Sequence, residues 1–143
     1  MRAWLYDLLV GSAELQVAMG YSADRMSAQV MPRRSQETFN ILKPFIVYGL
    51  GNNTNEDLAE DTDHEAHRQF FQIWIHDDGG DFGRIDDIIE VVKRLLTNAS
   101  SPVDHVTQVR WLETSQEFNN ETYNTLFRYV RFQAIISKGK AVA

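Results

Sequence analysis

The sequence predicts an α+β fold, a single domain ordered α-β-β-α-β-β with a four-stranded, mainly antiparallel sheet and helices packed on one face. Three observations carry this reading. Ile85, Ile88, Ile89, Val92, Leu95 and Leu96 recur at i, i+3, i+4, i+7, i+10 and i+11, the apolar stripe of a helix lying on a sheet. Pro44–Leu50 and Arg68–His76 are instead rich in β-branched and aromatic residues and are bounded by turn signals, as strands are. The chain of 143 residues suits one domain, and no linker, internal repeat or low-complexity tract divides it.

The elements follow in order. Trp4, Leu5, Leu8 and Leu9 form one apolar stripe on a short leading helix that Gly11 and Ser12 end. Ser12 is placed to cap a second helical stretch carrying Leu15 and Val17 up to Gly20. Tyr21–Gln36 is irregular, with a strand expected at Met26–Met31 that lies at an edge or stops at Pro32, which lacks a backbone donor. Pro44 opens the clearest strand and Gly51-Asn52-Asn53 closes it. In the next strand Phe71, Ile73 and Ile75 share one face, while Phe70, Gln72, Trp74 and His76 share the other. Between these two strands, at about 51–67, the sequence predicts a long acidic hairpin loop, and loops of that length are usually functional or disordered. Asp77-Asp78-Gly79-Gly80-Asp81 is a turn, with Asp81 the expected N-cap of the 85–96 helix. Acidic Asp86 and Asp87 near its start and basic Lys93 and Arg94 near its end suit the helix dipole. Asn98–Pro102 terminates it. Val103–Glu113 is the third strand and Tyr123–Ser137 the fourth, and the tail at about 138–143 is expected to fray.

Composition excludes several classes of function. Without cysteine there is no disulfide, no thiolate zinc site and no Cys nucleophile. No window approaches the ~18–20 apolar residues of a membrane span, and Asp7 and Glu14 interrupt any N-terminal signal segment, so no targeting is expected. The net charge of −6 argues against general nucleic-acid binding, which needs a basic face to displace counterions. That imbalance is local. Glu56, Asp57, Glu60, Asp61, Asp63 and Glu65 all fall between Lys43 and Arg68, where there is no Lys or Arg, and the remainder is neutral.

Motifs for chemistry are weak. His64-Glu65-Ala66-His67 spaces its histidines i, i+3 beside a strand start, whereas the zinc protease pattern needs i, i+4 on a helix. Asp77, Asp78 and Asp81 read as a helix cap with neighbouring surface carboxylates rather than a calcium turn. Gly49-Leu50-Gly51 lacks the third glycine and the following helix of a dinucleotide fingerprint. Asp104-His105 has no nucleophile motif to serve. Trp74 and Trp111 are expected on facing strands, in the core or at an interface. Neither a catalytic residue nor a cofactor is expected. What remains is interaction: the acidic set Glu56, Asp57, Glu60, Asp61, Asp63 and Glu65 as an interaction or pore-facing loop, and Arg33, Arg34, Arg128 and Arg131 as basic subunit-interface residues. Separate acidic and basic clusters suit a head-to-tail contact between copies.

In this order of landmarks the chain resembles the tail terminator (tail completion) proteins of long-tailed bacteriophages. The likeness runs from about Met1 to Ser137. It rests on the leading helix with Leu5, Leu8 and Leu9, the apolar stretch Leu15–Met19, Pro44-Phe45-Ile46-Val47-Tyr48, Phe71-Gln72-Ile73-Trp74-Ile75, the Ile85–Leu96 helix and two closing strands. The acidic insert at Asn52–Ala66 departs from the family pattern. The resemblance implies a structural virion protein without catalytic residues, a homo-oligomeric and typically six-fold ring on the head-proximal end of the tail tube. Such a ring ends tube polymerisation and presents a joining surface to the head. Its implied partners are its own copies, the tail tube protein and a head-completion or connector protein, with DNA passing through unbound. It would be found in the virion and, during assembly, in the host cytoplasm. The residues alone leave two alternatives open: another neck component such as a head-closure or connector adaptor, and a small dimeric ligand-binding or regulatory α+β domain.

Overall fold

The computed structural model describes residues 1–33, 42–55, 64–78, 80–121 and 124–139. Three short helices precede the first strand: α1 (Arg2–Val10), α2 (Ala13–Met19) and α3 (Ala23–Gln29). Leu5 and Leu9, one helical turn apart, are the buried residues of α1. Ser12 caps α2 as its position predicts, its Oγ accepting the Leu15 N–H at 3.2 Å. Gly20 ends that helix with φ 79°, a left-handed conformation that glycine adopts without the clash a Cβ brings. The expected strand at Met26–Met31 is mostly helix. Ser22 accepts the Arg25 N–H, Asp24 lies in the first turn, and Met26 and Gln29 point inward at i, i+3. These local signals favour a helix as far as Gln29, and β1 (Val30–Pro32) keeps only the last residues.

The remaining elements are β2 (Phe45–Asn55), β3 (His64–Asp77), α4 (Gly83–Leu96), β4 (Val106–Thr114), β5 (Phe118–Asn120) and β6 (Thr125–Gly139). The sheet has six strands rather than four, ordered β1-β2-β3-β6-β4, with β5 also paired to β6. β1 pairs with β2 in parallel and the other pairings are antiparallel. The extra strands are three residues each, too short for a period to register in the sequence. The two long hairpin strands also reach further than their apolar cores suggest. β2 runs to Asn55, β3 starts at His64, and Asn55 pairs with His67, so the ladder enters the stretch expected as loop from both ends. At the far end of β6, Lys138 and Gly139 pair with Glu65 and His64 in the segment expected to fray. Residues 56–63 and 140–143 lie outside the described set.

One face of the sheet holds the core. Ile46 and Tyr48 of β2, Phe71, Ile73 and Ile75 of β3, Val130, Phe132 and Ala134 of β6, and Val106 and Val109 of β4 are all buried there. Register aligns them in rows: Ile46 with Ile75, Tyr48 with Ile73, Ile73 with Val130, and Phe71 with Phe132, whose rings stack at 5.2 Å. All four helices contribute to this core, α4 most heavily through Ile85, Ile88, Ile89, Val92 and Leu96. Each such side chain contributes about 1.5–3 kcal/mol on burial. The helices therefore occupy one face, as predicted, and leave the other face of the sheet to a different set of residues.

Candidate functional site

Strand alternation puts Phe45, His76, Phe127 and Phe118 on the face without helices, and register sets them side by side across β2, β3, β6 and β5. Their rings stack in series at 4.6, 5.0 and 5.1 Å between centroids. His76 Nδ1 lies 2.9 Å from the buried Thr125 hydroxyl. Burial pushes the His76 imidazole down to a pKa of about 4, so it is neutral near pH 7. One step along β3, the Arg33 guanidinium sits 5.3 Å over the ring of Trp74. Gly49, on the neighbouring strand, makes room for that indole: a Cβ there would meet its Cζ3 at 3.2 Å. Further along, Arg131 lies 5.8 Å over Phe70 and pairs with Glu113 at 3.3 Å. Between Arg33, Trp74, His76, Asn120 and Phe127 is a small cleft of about 140 Å³.

The predicted basic residues are thus divided. Arg33 and Arg131 share this face. Arg128 is on the helix face, where its Nη1 donates to Asp86 at 2.6 Å and its Nε and Nη2 donate to the Ser115 carbonyl at 3.0 and 2.9 Å. Those bonds tie β6 to α4 and to the β4–β5 connection. Arg34 lies outside the described residues, as do Glu56, Asp57, Glu60, Asp61 and Asp63. Glu65 is on β3 opposite Lys138, in the paired ladder rather than a loop. His64 and His67 fall on the same strand rather than on a helix. No group of three or more potential metal ligands occurs among the described residues.

Of the aspartates before α4, Asp78 and Asp81 are exposed, as expected of surface carboxylates, and Asp77 is not. Asp77 is buried and accepts from Arg84 Nε and Nη2 at 2.7 and 2.6 Å and from the Asp78 N–H at 2.8 Å. Burial alone would raise its carboxyl, but the Arg84 hydrogen bonds, the Asp78 N–H and the Arg84 charge hold it below the usual carboxylate range. The N-cap position of α4 is Phe82 rather than Asp81, although the Asp81 carboxylate still accepts the Gly83 N–H at 2.8 Å.

The two ends of the sheet are unlike each other. At the β1 end, a cleft of about 480 Å³ is lined by Arg2, Pro32, Arg33, Tyr48, Gly49 and Leu50. At the β4 end, the turn after α4 covers the outer edge at Val106 and Val109, through bonds from Ser101 and Asn98. Beyond them Trp111 and Leu112 are 43% and 40% exposed. The Trp111 indole N–H donates to Thr114 at 3.1 Å and Lys93 lies 4.1 Å over its ring. Beside it a cleft of about 370 Å³ is lined by Asp86, Asp87, Ile89, Glu90, Thr114 and Arg128. Trp74 and Trp111 do not face each other, because β6 separates their strands. The sequence contains Trp111 but no sign that its strand is an edge.

No family model and no curated protein matches the chain. Among solved structures, a chain from the virion of a native gene transfer agent particle superposes with a TM-score of 0.65 at 16% identity. The match covers 94% of this chain and 92% of that one. The likeness is one of fold. It spans the three leading helices, the sheet and α4 together rather than a fragment of them. No described helix is long and apolar enough to cross a membrane.

Proposed function

We propose that this protein is a structural virion protein. Its copies form a six-fold ring that caps the head-proximal end of a phage tail tube, ends tube polymerisation and provides the head–tail joining surface. The observation that carries the reading is the near full-length fold match to a virion chain of a gene transfer agent particle. The ordered likeness to tail terminators supports the finer role.

The physical requirement is a rigid wedge. The six-stranded sheet backed by α4 supplies rigidity, because its central strands are hydrogen-bonded on both sides and packed on one face. Identical wedges in head-to-tail contact close a ring when the rotation between them divides a full turn, and otherwise grow without limit. Closure is what separates a terminator from a tube layer. The ring acts by binding rather than by catalysis: one face meets the tail tube protein, the other a head-completion or connector protein. The acidic segment from Glu56 to Glu65 adds negative charge to each copy, and at the rim of a pore it would keep passing DNA from adhering.

Light scattering and electron microscopy of the purified protein, alone and with the tail tube protein of the same virus, test this. The expected result is a ring that shortens or caps tubes. A ring that binds a head connector and ignores tubes would move the protein to another neck position. A monomer or dimer that leaves tube length unchanged would refute the proposal.

A further inference from the structure

The unlike ends of the sheet point to the contact that joins one copy to the next. We infer that the exposed Trp111–Leu112 edge of one copy docks in the Arg2/Arg33/Tyr48/Leu50 cleft of a second copy. This rests on the ring reading above and names its interface.

Four features of the molecule support it. First, Trp111 is preorganised. Its indole N–H is already satisfied by Thr114 and one face of the ring is held under Lys93, yet 43% of the residue is exposed. An anchored aromatic loses little freedom on binding, and tryptophan is among the residues that dominate interface energetics. Second, the β1-end cleft has the complementary character. Pro32, Tyr48, Gly49 and Leu50 give it apolar walls, and Arg2 and Arg33 are exposed beside them. Its volume of about 480 Å³ lies in the range of sites that accept large side chains or ligands.

Third, the charges match. Among the described residues, the β1-end cleft is lined by two arginines and no carboxylate, and neither arginine forms an ion pair. The cleft beside Trp111 is lined by Asp86, Asp87 and Glu90 against Arg128 alone. Lys93, the cation nearest the indole, is itself paired with Glu90 at 3.8 Å. Docking the tryptophan edge brings Arg2, and Arg33 from its place over Trp74, toward these carboxylates. Fourth, β1 and β4 are the two ends of one sheet order, so the surfaces lie on opposite sides of the subunit. A contact between them is heterologous and propagates in one direction, the kind a ring requires. The acid of this contact is the α4 set, not the segment from Glu56 to Glu65.

Two variants test the pairing because each removes one side of it from an exposed position. Trp111→Ala removes the anchor, and the double variant Arg2→Glu/Arg33→Glu reverses the cleft. Sedimentation velocity of each alone is expected to show the oligomer dissociated, with association roughly thirtyfold weaker or more, the scale of a lost hot spot. Circular dichroism melts confirm that both remain folded. An equimolar mixture is decisive: one variant keeps an intact cleft and the other an intact edge, so a 1:1 heterodimer forms and grows no further. Rings that persist in either variant, or a mixture that stays monomeric, would overturn this interface and leave the ring reading standing. A wild-type protein that is monomeric alone and with tube protein would overturn both. Rings that depend on Trp111 but leave tubes unchanged would overturn only the terminator role.

Discussion

Replacing His76 by Phe separates one buried imidazole from everything else that titrates as the protein is acidified. The ordinary histidine value of 6.5 describes the unfolded chain, and in the folded chain burial lowers it to about 4. Above pH 6.5 both states are neutral at this site and it makes no difference. As pH falls below 6.5 the unfolded state takes up a proton that the native state refuses, so stability declines until about pH 4 and then levels. At about 1.4 kcal/mol per pH unit across that window, the loss is about 3 kcal/mol. The Phe variant keeps a ring between Phe45 and Phe127 but cannot titrate. It also leaves the buried Thr125 hydroxyl without its imidazole partner, at a cost of roughly 1–3 kcal/mol at pH 7. Urea denaturation of both proteins at steps from pH 7 to pH 4 measures the difference, in which carboxylate protonation common to both cancels. The wild type is expected to lose about 3 kcal/mol more than the variant, so the two curves converge or cross. A difference that does not change with pH, or an imidazole NMR titration centred near 6.5, would refute the argument.

Three further outcomes are expected. Asp77→Ala deprives Arg84 and the Asp78 N–H of their acceptor and should lower stability by roughly 2–3 kcal/mol, with a double-mutant cycle against Arg84→Ala showing coupling. Since the Asp77 carboxyl is held below its unfolded value, this contribution is present at neutral pH and fades as pH falls through the folded value. Gly20→Ala places a Cβ at φ 79° with nothing nearby to clash, so calorimetry should register only the conformational cost, about 1–2 kcal/mol. Phe71→Ala removes a fully buried ring stacked on Phe132 and should cost about 3–5 kcal/mol in denaturant titrations.

Local signals were readable where they were complete within one element. The stripe of α4, the alternation of β3 and the Ser12 cap each needed no knowledge of the rest of the chain. The strand expected at Met26–Met31 gives way to α3 because Ser22 and Asp24 upstream mark a helix start. Strand order was beyond local reach. No pattern within β6 states that it lies between β3 and β4, so the open side of Trp111 could not be foreseen. Arg128 was a different case. Alternation with Leu126, Val130 and Phe132 puts it on the core face, and an arginine there needs acceptors from a packed element, which Asp86 and Ser115 supply. The aromatic series through His76 combines residues from four strands that are far apart in sequence, and only register brings them together.

Strand β6 pairs with β3, β4 and β5, yet it follows all of them in the sequence. The sheet therefore has no centre until Thr125–Gly139 is made. A ribosome that has delivered everything before Thr125 holds a β2–β3 hairpin with one side unfilled, a β4 without its partner strand, and a helix whose apolar stripe has half a floor. Such a topology has high contact order, and domains of that kind fold late and slowly after synthesis. The partly made chain is exposed to sticking through its open strands until β6 is delivered. Shortening the chain within β6 is then not a trim of one end but the removal of the seam that three other strands share.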